Sequence, residues 1–149
     1  MKVEIYARKA MEELIRNGFP SNTAVISFYT PPRSGRRAEA PIDYGGVCDR
    51  VFSVGIPDID REILADYGYT YESFLAEADR LAGFILDAKA HGLRIICQCD
   101  YGQSRSAACA AAILQYFEGR GIDVFADYRY YPSQLVYHKV LDALMRRGG

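Results

Sequence analysis

Residues 94–113 carry the sequence RIICQCDYGQSRSAACAAAI, in which an apolar run, a polar loop and an alanine-rich run follow one another. The apolar run ends at Cys99 and the loop ends at Arg105, with five residues between them. Short apolar runs bounded by turn residues are typical of buried strands, and alanine favours helices. A loop that leads from a strand into a helix directs several backbone N–H groups at one spot, where oxyanions bind and a thiol becomes more acidic. The stretch therefore predicts a loop that holds an anion and presents a nucleophile to it.

The spacing of Cys99 and Arg105 is weak evidence by itself. With four cysteines and fourteen arginines in the chain, a Cys-x5-Arg match arises by chance with a probability of roughly 0.3–0.4. The context adds specificity, because Gly102 in the middle of the loop has no Cβ and lets the backbone curl around a ligand. The residues after Arg105 lead into a predicted helix over 107–117, whose small side chains can pack close to a sheet.

This stretch resembles the signature loop of the cysteine-dependent protein tyrosine phosphatase superfamily, written His-Cys-x-x-Gly-x-x-Arg-Ser/Thr. It is similar to the small dual-specificity-like branch of that superfamily and to its bacterial relatives. Four residues fall on the pattern, namely Cys99, Gly102, Arg105 and Ser106. Gln98 departs from it, because the family usually has histidine at that position.

The resemblance implies a role for each residue of the loop. Cys99 would be the nucleophile and would form a phosphocysteine intermediate. Arg105 would hold two phosphate oxygens through its guanidinium, and Ser106 would donate a hydrogen bond to the sulfur and help it leave. The rest of the loop is predicted to bind the phosphate together with Arg105: Asp100, Tyr101, Gly102, Gln103 and Ser104. Neither a cofactor nor a metal ion is implied.

Gln98 bears on the reactivity of the neighbouring thiol. The family histidine helps to orient the loop and favours the thiolate, and an amide can still donate a hydrogen bond. We therefore expect an active enzyme in which the Cys99 thiolate is less favoured than in relatives with histidine. The pH dependence of the alkylation rate of this thiol measures the difference.

Cleavage of a phosphate ester also needs a proton for the leaving oxygen, which an aspartate on a neighbouring loop can supply. The family places this aspartate after an earlier strand, and Pro57-Asp58 follows a predicted strand over 51–54. Asp58 precedes Cys99 by 41 residues, which is longer than usual. Asp60 is the competing candidate and Asp66 a more distant one, and each could instead be a solvated turn residue.

Composition is that of an ordinary soluble domain. The sequence has 149 residues, of which 50% are hydrophobic and 25% charged. Residues 1–149 are therefore predicted to form a single domain with one core. A net charge of −1 gives no reason to expect nucleic acid or an anionic membrane as a partner. The sequence shows no basic-then-apolar leader and no apolar run near the length of about 18 residues that spans a bilayer. A cytoplasmic protein is therefore the default expectation.

Four cysteines in a chain of 149 residues do not suggest a disulfide framework. Cys97 and Cys99 do not suggest a zinc site, because they lack a second ligand pair. These two residues are expected to share one face of their strand, and Cys109 is expected to be a small core residue. Regulation by oxidation through Cys97 and the oligomeric state stay open.

Hydrophobic patterning predicts an α/β fold in one domain. The predicted strands are 3–6, 24–28, 51–54 and the run from 93 that leads to Cys99. The predicted helices are 7–17, 71–90, 107–117 and 133–147. A polar connection is predicted over 60–68 and a short segment at 124–125. Strands that alternate with helices imply a mainly parallel sheet covered by helices on both faces. Cys99 then lies at the carboxyl end of a strand, where such sheets bind ligands.

Other residues are weaker candidates for the rim of the site. Tyr101 and the tyrosines near 67–71 and 128–131 could flank a phenyl ring, although tyrosines more often pack with a solvated hydroxyl. Gln134 could position the hydrolytic water, and Ser133 is a predicted helix N-cap. A loop with three arginines could reach the site or be solvated: Arg33, Arg36 and Arg37.

The leading hypothesis is a phosphomonoester hydrolase that acts on a phosphorylated protein, through phosphotyrosine or also phosphoserine and phosphothreonine, or on a small phosphoester. The alternative, a catalytically weak phosphate-binding module, is favoured only by Gln98. A cysteine protease or acyltransferase needs a histidine beside the thiol, and His91 and His138 lie at a helix end and within a helix. Arsenate reduction and sulfur transfer do not call for an acid loop. Protein phosphotyrosine, a phosphoinositide, a sugar phosphate and an RNA 5′ end stay open as substrates.

Overall fold

The computed structural model describes residues 1–32 and 38–148 and contains a four-stranded sheet between layers of helices. The elements in chain order are β1 (Val3–Ala7), α1 (Arg8–Asn17), β2 (Thr23–Tyr29), β3 (Val51–Gly55), α2 (Ala78–Ala90), β4 (Arg94–Cys99), α3 (Arg105–Glu118), α4 (Ile122–Phe125) and α5 (Gln134–Gly148). The strands pair in the order β1-β4-β2-β3, and every pair is parallel. The predicted α/β fold with a parallel sheet is therefore confirmed.

Strand β4 lies inside the sheet between β1 and β2, and its side chains alternate between two cores. Ile95, Cys97 and Cys99 belong to the large core that α2, α3 and α5 cover, whereas Ile96 packs with Met11 of α1 in a smaller core. A strand that is covered on both faces is apolar on both faces, which explains the continuous apolar run in the sequence. The expectation that Cys97 and Cys99 share a face is confirmed.

Helix α3 lies directly against the sheet. Its residues 105–114 are all buried, and the helix contacts β1, β4 and α5. Alanine side chains are short, so the helix axis can approach the strands closely without overpacking the core. This close approach places the N-terminus of α3 beside the end of β4.

The helix predicted over 71–90 begins too early, because α2 starts only at Ala78. Residues 71–77 form turns, and Leu75 has a φ of 50°, which is incompatible with a right-handed helix. Phe74 and Leu75 are nevertheless buried in the core. Their burial within a turn produces the apolar spacing that resembles a helix.

Two further segments differ in detail from the expectation. The predicted polar connection over 60–68 contains two single turns of 3-10 helix, Arg61–Ile63 and Ala65–Tyr67. The short segment at 124–125 belongs to the helical turn α4. Within the described parts of the chain, we find no helix with the length and apolar character needed to cross a bilayer.

Candidate active site

The loop Cys99–Arg105, the cradle, connects β4 to α3 at the carboxyl edge of the sheet. Gly102 has a φ of 67°, and a Cβ at this position would lie 2.7 Å from the backbone nitrogen of Ala7. Only glycine therefore allows the cradle to pack against the junction of β1 and α1. The sequence correctly marks the glycine, but the reason includes this backbone contact as well as room for a ligand.

The carbonyl groups of the cradle are held by backbone donors around it. The carbonyl of Asp100 accepts the N–H of Arg8 at 2.9 Å, and the carbonyl of Gln103 accepts the N–H of Tyr131 at 2.8 Å. In a trans peptide the C=O and the following N–H point in opposite directions. The N–H groups of residues 101 and 104 therefore point away from these partners, as a loop that binds an oxyanion requires.

Cys99 is buried at the end of β4, and its Sγ lies 3.0 Å from Oγ of Ser106 in the first turn of α3. This is the contact that the resemblance implies for Ser106. The other thiol on the same face of the strand is different, because a hydrogen bond with Cys109 and complete burial raise the pKa of Cys97 well above its usual range. Cys97 is therefore a structural thiol, and Cys99 is the one presented to the cradle.

Arg105 is buried at the base of the site with its guanidinium fixed along one edge. Its Nη1 donates to the carbonyl of Ile56 at 2.9 Å and to Oγ1 of Thr30 at 3.1 Å, and its Nη2 lies 3.4 Å from a carboxylate oxygen of Glu39. Its Nε is buried and has no hydrogen-bond partner among the described residues. Nε is thus the donor left for a ligand on the Nε–Nη2 edge of the guanidinium, and Nη2 of that edge also contacts Glu39.

Glu39 and Thr30 are site residues that the sequence analysis does not identify. Glu39 accepts hydrogen bonds from the backbone N–H of Thr30 at 3.0 Å and from its Oγ1 at 2.7 Å. Burial raises the pKa of Glu39, but hydrogen bonds with Asp100 and Thr30 and the charge of Arg105 together bring it below its ordinary value. The sequence carries no signal for these contacts, because Thr30 and Glu39 lie 75 and 66 residues from Arg105.

Gln98 is buried on the face of β4 opposite to Cys99. Its Oε1 accepts hydrogen bonds from Oγ of Ser27 on β2 and from the hydroxyl of Tyr44, the latter at 3.2 Å. The Tyr44 hydroxyl also lies 3.0 Å from Oγ of Ser27. Gln98, at the position where the signature that this loop resembles has histidine, is therefore held in a hydrogen-bonded group of three buried side chains.

The acid loop, residues 56–60, leaves β3 beside Arg105. Asp58 is exposed and makes no hydrogen bond or ion pair with any other described residue, while its neighbours Pro57 and Ile59 are buried. Asp60 differs, because its carboxylate accepts the backbone N–H groups of Gln134 at 2.9 Å and Leu135 at 3.0 Å. The loop therefore presents Asp58 as a free carboxyl group and uses Asp60 in backbone contacts.

The third candidate acid, Asp66, is exposed on the second turn of 3-10 helix and has contacts of its own. The tyrosines of this segment are structural. Tyr69 packs edge-on against Phe74 with ring centroids 5.4 Å apart, and the hydroxyl of Tyr71 donates to Asp142 of α5. These contacts tie the segment to the core and to α5.

Two tyrosines are exposed beside the cradle. Tyr101, within the cradle, and Tyr131, whose N–H donates to it, are 70% and 73% exposed. Ser133 caps α5 as predicted, with its Oγ accepting the N–H of Val136 at 3.2 Å, and the side chain of Gln134 is exposed next to it. The three arginines predicted as a possible rim lie outside the described residues: Arg33, Arg36 and Arg37.

The arrangement can hold an oxyanion beside a buried thiol. Among the described residues, no group of three or more histidine, cysteine, aspartate or glutamate side chains is placed to hold a metal ion. The side chains of Cys99 and Ser106 meet at the N-terminus of α3, where Arg105 is the first helical residue and the helix dipole also favours an anion.

No protein-family model matches the chain, and no curated protein matches it. Solved structures do. Human DUSP28 is similar over 99% of this chain and 90% of its own, with a TM-score of 0.57 and 16% identity. Tk-PTP in its active form is similar over 99% of this chain and 93% of its own, with a TM-score of 0.52 and 16% identity. PTPMT1 in complex with PI(5)P is similar over 99% of this chain and 92% of its own, with a TM-score of 0.51 and 14% identity.

Proposed function

Because the chain has the fold of the cysteine-dependent protein tyrosine phosphatases, we propose that it is a phosphomonoester hydrolase that works through a phosphocysteine intermediate on Cys99. The substrate is a phosphorylated protein, through phosphotyrosine or also phosphoserine and phosphothreonine, or a small phosphoester. The phosphoinositide bound to the similar protein PTPMT1 supports the wider class of phosphoesters. Activity, mechanism and a cytoplasmic location are all part of the proposal.

The proposal rests on the buried Nε of Arg105, which has no hydrogen-bond partner among the residues that the structure describes. Leaving a buried donor without a partner costs about 1–3 kcal/mol, and more for a charged group. The Nε–Nη2 edge of a guanidinium matches two oxygens of a phosphate group, and the other edge is already fixed by Ile56 and Thr30. A phosphate in the cradle would satisfy this edge and place its phosphorus within reach of Cys99.

The first step of the proposed reaction transfers the phosphoryl group to sulfur. The thiolate of Cys99 attacks phosphorus, the bond from phosphorus to the ester oxygen breaks, and Asp58 gives its proton to the leaving oxygen. Arg105 follows the charge of the phosphoryl oxygens into the transition state. The alcohol or phenol then departs and leaves a phosphocysteine.

The second step regenerates the thiol. Water attacks phosphorus while the carboxylate of Asp58 accepts its proton, and the bond from phosphorus to sulfur breaks. Ser106 donates a hydrogen bond to the departing thiolate from its position 3.0 Å away. The products are inorganic phosphate and the free enzyme.

Hydrolysis of para-nitrophenyl phosphate by three proteins tests the proposal. The wild type should turn over, Cys99→Ser should fall to background, and Arg105→Ala should lose about 10²–10³-fold or more, as when a main donor to the transition state is removed. Equal and near-background rates for all three would contradict the hydrolase. If wild type then still bound inorganic phosphate while Arg105→Ala did not, the protein would be the phosphate-binding module instead.

An alanine series assigns the acid. Asp58→Ala should lose the basic limb of the pH–rate profile and be hurt least on substrates with good leaving groups, because these need little protonation. The same result from Asp60→Ala with a normal profile for Asp58→Ala would reverse the assignment.

A further inference from the structure

The carboxylate of Asp60 is occupied by the backbone of two elements. Besides the N–H groups of Gln134 and Leu135 in α5, it accepts the N–H of Arg61 at 2.9 Å. Both oxygens of the carboxylate take part, and Gln134 and Leu135 are the first two residues of α5. Asp60 therefore satisfies N–H groups that the first turn of a helix cannot satisfy by itself.

Ser133 makes a second tie between the same two elements. Its buried Oγ donates to the carbonyl of Ile59 at 3.0 Å while it accepts the N–H of Val136. The N–H of Ser133 reaches the carbonyl of Ser104 in the cradle at 3.4 Å. Ser133 thus links the acid loop and the start of α5 through its side chain, and the cradle through its backbone N–H.

The opposite end of the acid loop is fixed to the cradle directly, through Nη1 of Arg105 and the carbonyl of Ile56. The hydrogen bonds form a closed circuit from the cradle through residues 131–133 to α5, from α5 to Ile59 and Asp60, and from Ile56 back to Arg105. Asp58 lies between the two fixed ends. The position of its carboxyl group depends on both.

We propose that Asp60 and Ser133 are positioning residues that tie the acid loop to the N-terminus of α5 and to the cradle and thereby hold Asp58 over the leaving-group oxygen. The inference rests on the proposed function, since it assigns Asp58 a proton to deliver. It also gives Asp60 a role different from that of the acid. The carboxylate oxygens of Asp60 accept three backbone N–H groups and hold two elements together, whereas Asp58 makes no hydrogen bond or ion pair with any other described residue.

Asparagine and alanine at position 60 separate the two roles. Asp60→Asn keeps one oxygen, which can still accept the N–H groups of Arg61 and Leu135 as Oδ1 of Asp60 does, but it loses the acceptor for Gln134 and carries no acidic proton. It should therefore keep the basic limb of the pH–rate profile and a kcat within a few-fold of wild type. Asp60→Ala removes the tie, and a small misplacement of a catalytic group lowers the rate by about ten- to a hundredfold. This loss should grow with the basicity of the leaving group, and KM should change little.

Ser133→Ala should show the same pattern as Asp60→Ala, because it removes the link to Ile59. The matched control is Asp79→Asn, which weakens a contact of a carboxylate with α5 far from the cradle, the 2.7 Å ion pair with Arg146. This control should leave kcat and its leaving-group dependence unchanged. A loss in the control equal to that in Asp60→Ala would mean that general loosening of α5 is responsible and would overturn the proposal.

Amide hydrogen exchange gives a readout that does not depend on turnover. Exchange at Arg61 and Leu135 should become faster in Asp60→Ala and change much less in Asp60→Asn, whereas exchange at Gln134, which is held by the other oxygen, should become faster in both variants. Unchanged exchange in Asp60→Ala would overturn the tie, whatever the activity.

Loss of the basic limb in Asp60→Asn, with the limb kept in Asp58→Asn, would make Asp60 the proton donor and overturn the proposal as well. If the wild type shows no turnover that depends on Cys99, the proposed function is contradicted. The exchange result would still decide whether the tie exists.

Discussion

Gln98 stands where the signature that this loop resembles has histidine, and the structure shows how the amide side chain is accommodated there. The amide oxygen accepts hydrogen bonds from Ser27 and Tyr44, so the buried side chain has partners and joins β4 to its neighbours. Since it faces away from Cys99, its influence on the thiol passes through the backbone of β4. The substitution therefore preserves the support of the cradle, and its effect on the thiolate stays a prediction.

Gly102 gives the sharpest prediction at the scale of one residue. In Gly102→Ala the new methyl group would meet the nitrogen of Ala7 at 2.7 Å, so the cradle must shift. We expect a loss of about 2 kcal/mol or more in the free energy of unfolding, since the clash adds to the strain of a positive φ. Urea unfolding measures this loss, and turnover should fall with it.

The matched control for this change is Gly119→Ala. Gly119 has the same φ of 67° at the end of α3, but a Cβ there would meet nothing within 4 Å. Its cost should be limited to backbone strain of about 1 kcal/mol. Equal losses in the two variants would contradict the close contact between the cradle and β1.

At the scale of elements, the parts of the site that are continuous in sequence are predictable from it. The strand, the glycine and the alanine-rich helix follow one another within residues 94–118, and local patterns predict each of them. The loops that complete the site come from elsewhere in the chain. Asp60 contacts residues 74 and 75 positions away, and no local pattern shows which of two neighbouring aspartates the fold will use as a cap.

Just before α2, in contrast, the local pattern predicts a helix where the structure has a turn. Phe74 and Leu75 have the spacing of an amphipathic helix, but they are buried in a turn. The carbonyl of Tyr71 accepts a hydrogen bond from Lys139 of α5 at 2.8 Å, which fixes this segment from outside. Tertiary contacts of this kind override local helix propensity.

At the scale of the whole molecule, the large core and the smaller core lie on opposite faces of the sheet. The polar side chain of Tyr44 lies inside the smaller core. Burial raises the pKa of Tyr44 to about 12. Between pH 10 and 12 the folded state therefore keeps a proton that the unfolded state has lost, so stability falls as the pH rises through this range. Below pH 10 the contribution of Tyr44 is fully present.

Comparison of wild type with Tyr44→Phe isolates this contribution. The variant should be less stable at pH 8, because the contacts of the hydroxyl with Ser27 and Gln98 are lost. The difference in unfolding free energy should shrink by about 1 kcal/mol between pH 8 and pH 11, because over this range the unfolded tyrosine loses its proton while the folded one keeps it. Urea unfolding at a series of pH values checks it, and a constant difference would contradict the assigned burial of the hydroxyl.

In the proposed reaction, the phosphoryl group of the substrate is transferred to Cys99 in the cradle. Mass spectrometry of the peptide that carries Cys99, after rapid acid quenching of wild type in mid-turnover with para-nitrophenyl phosphate, tests it most directly. We expect one phosphoryl group on Cys99 in wild type and none in Cys99→Ser, which should also lack turnover. Turnover that persists in Cys99→Ser, with the phosphoryl group absent from this peptide in wild type, would contradict it.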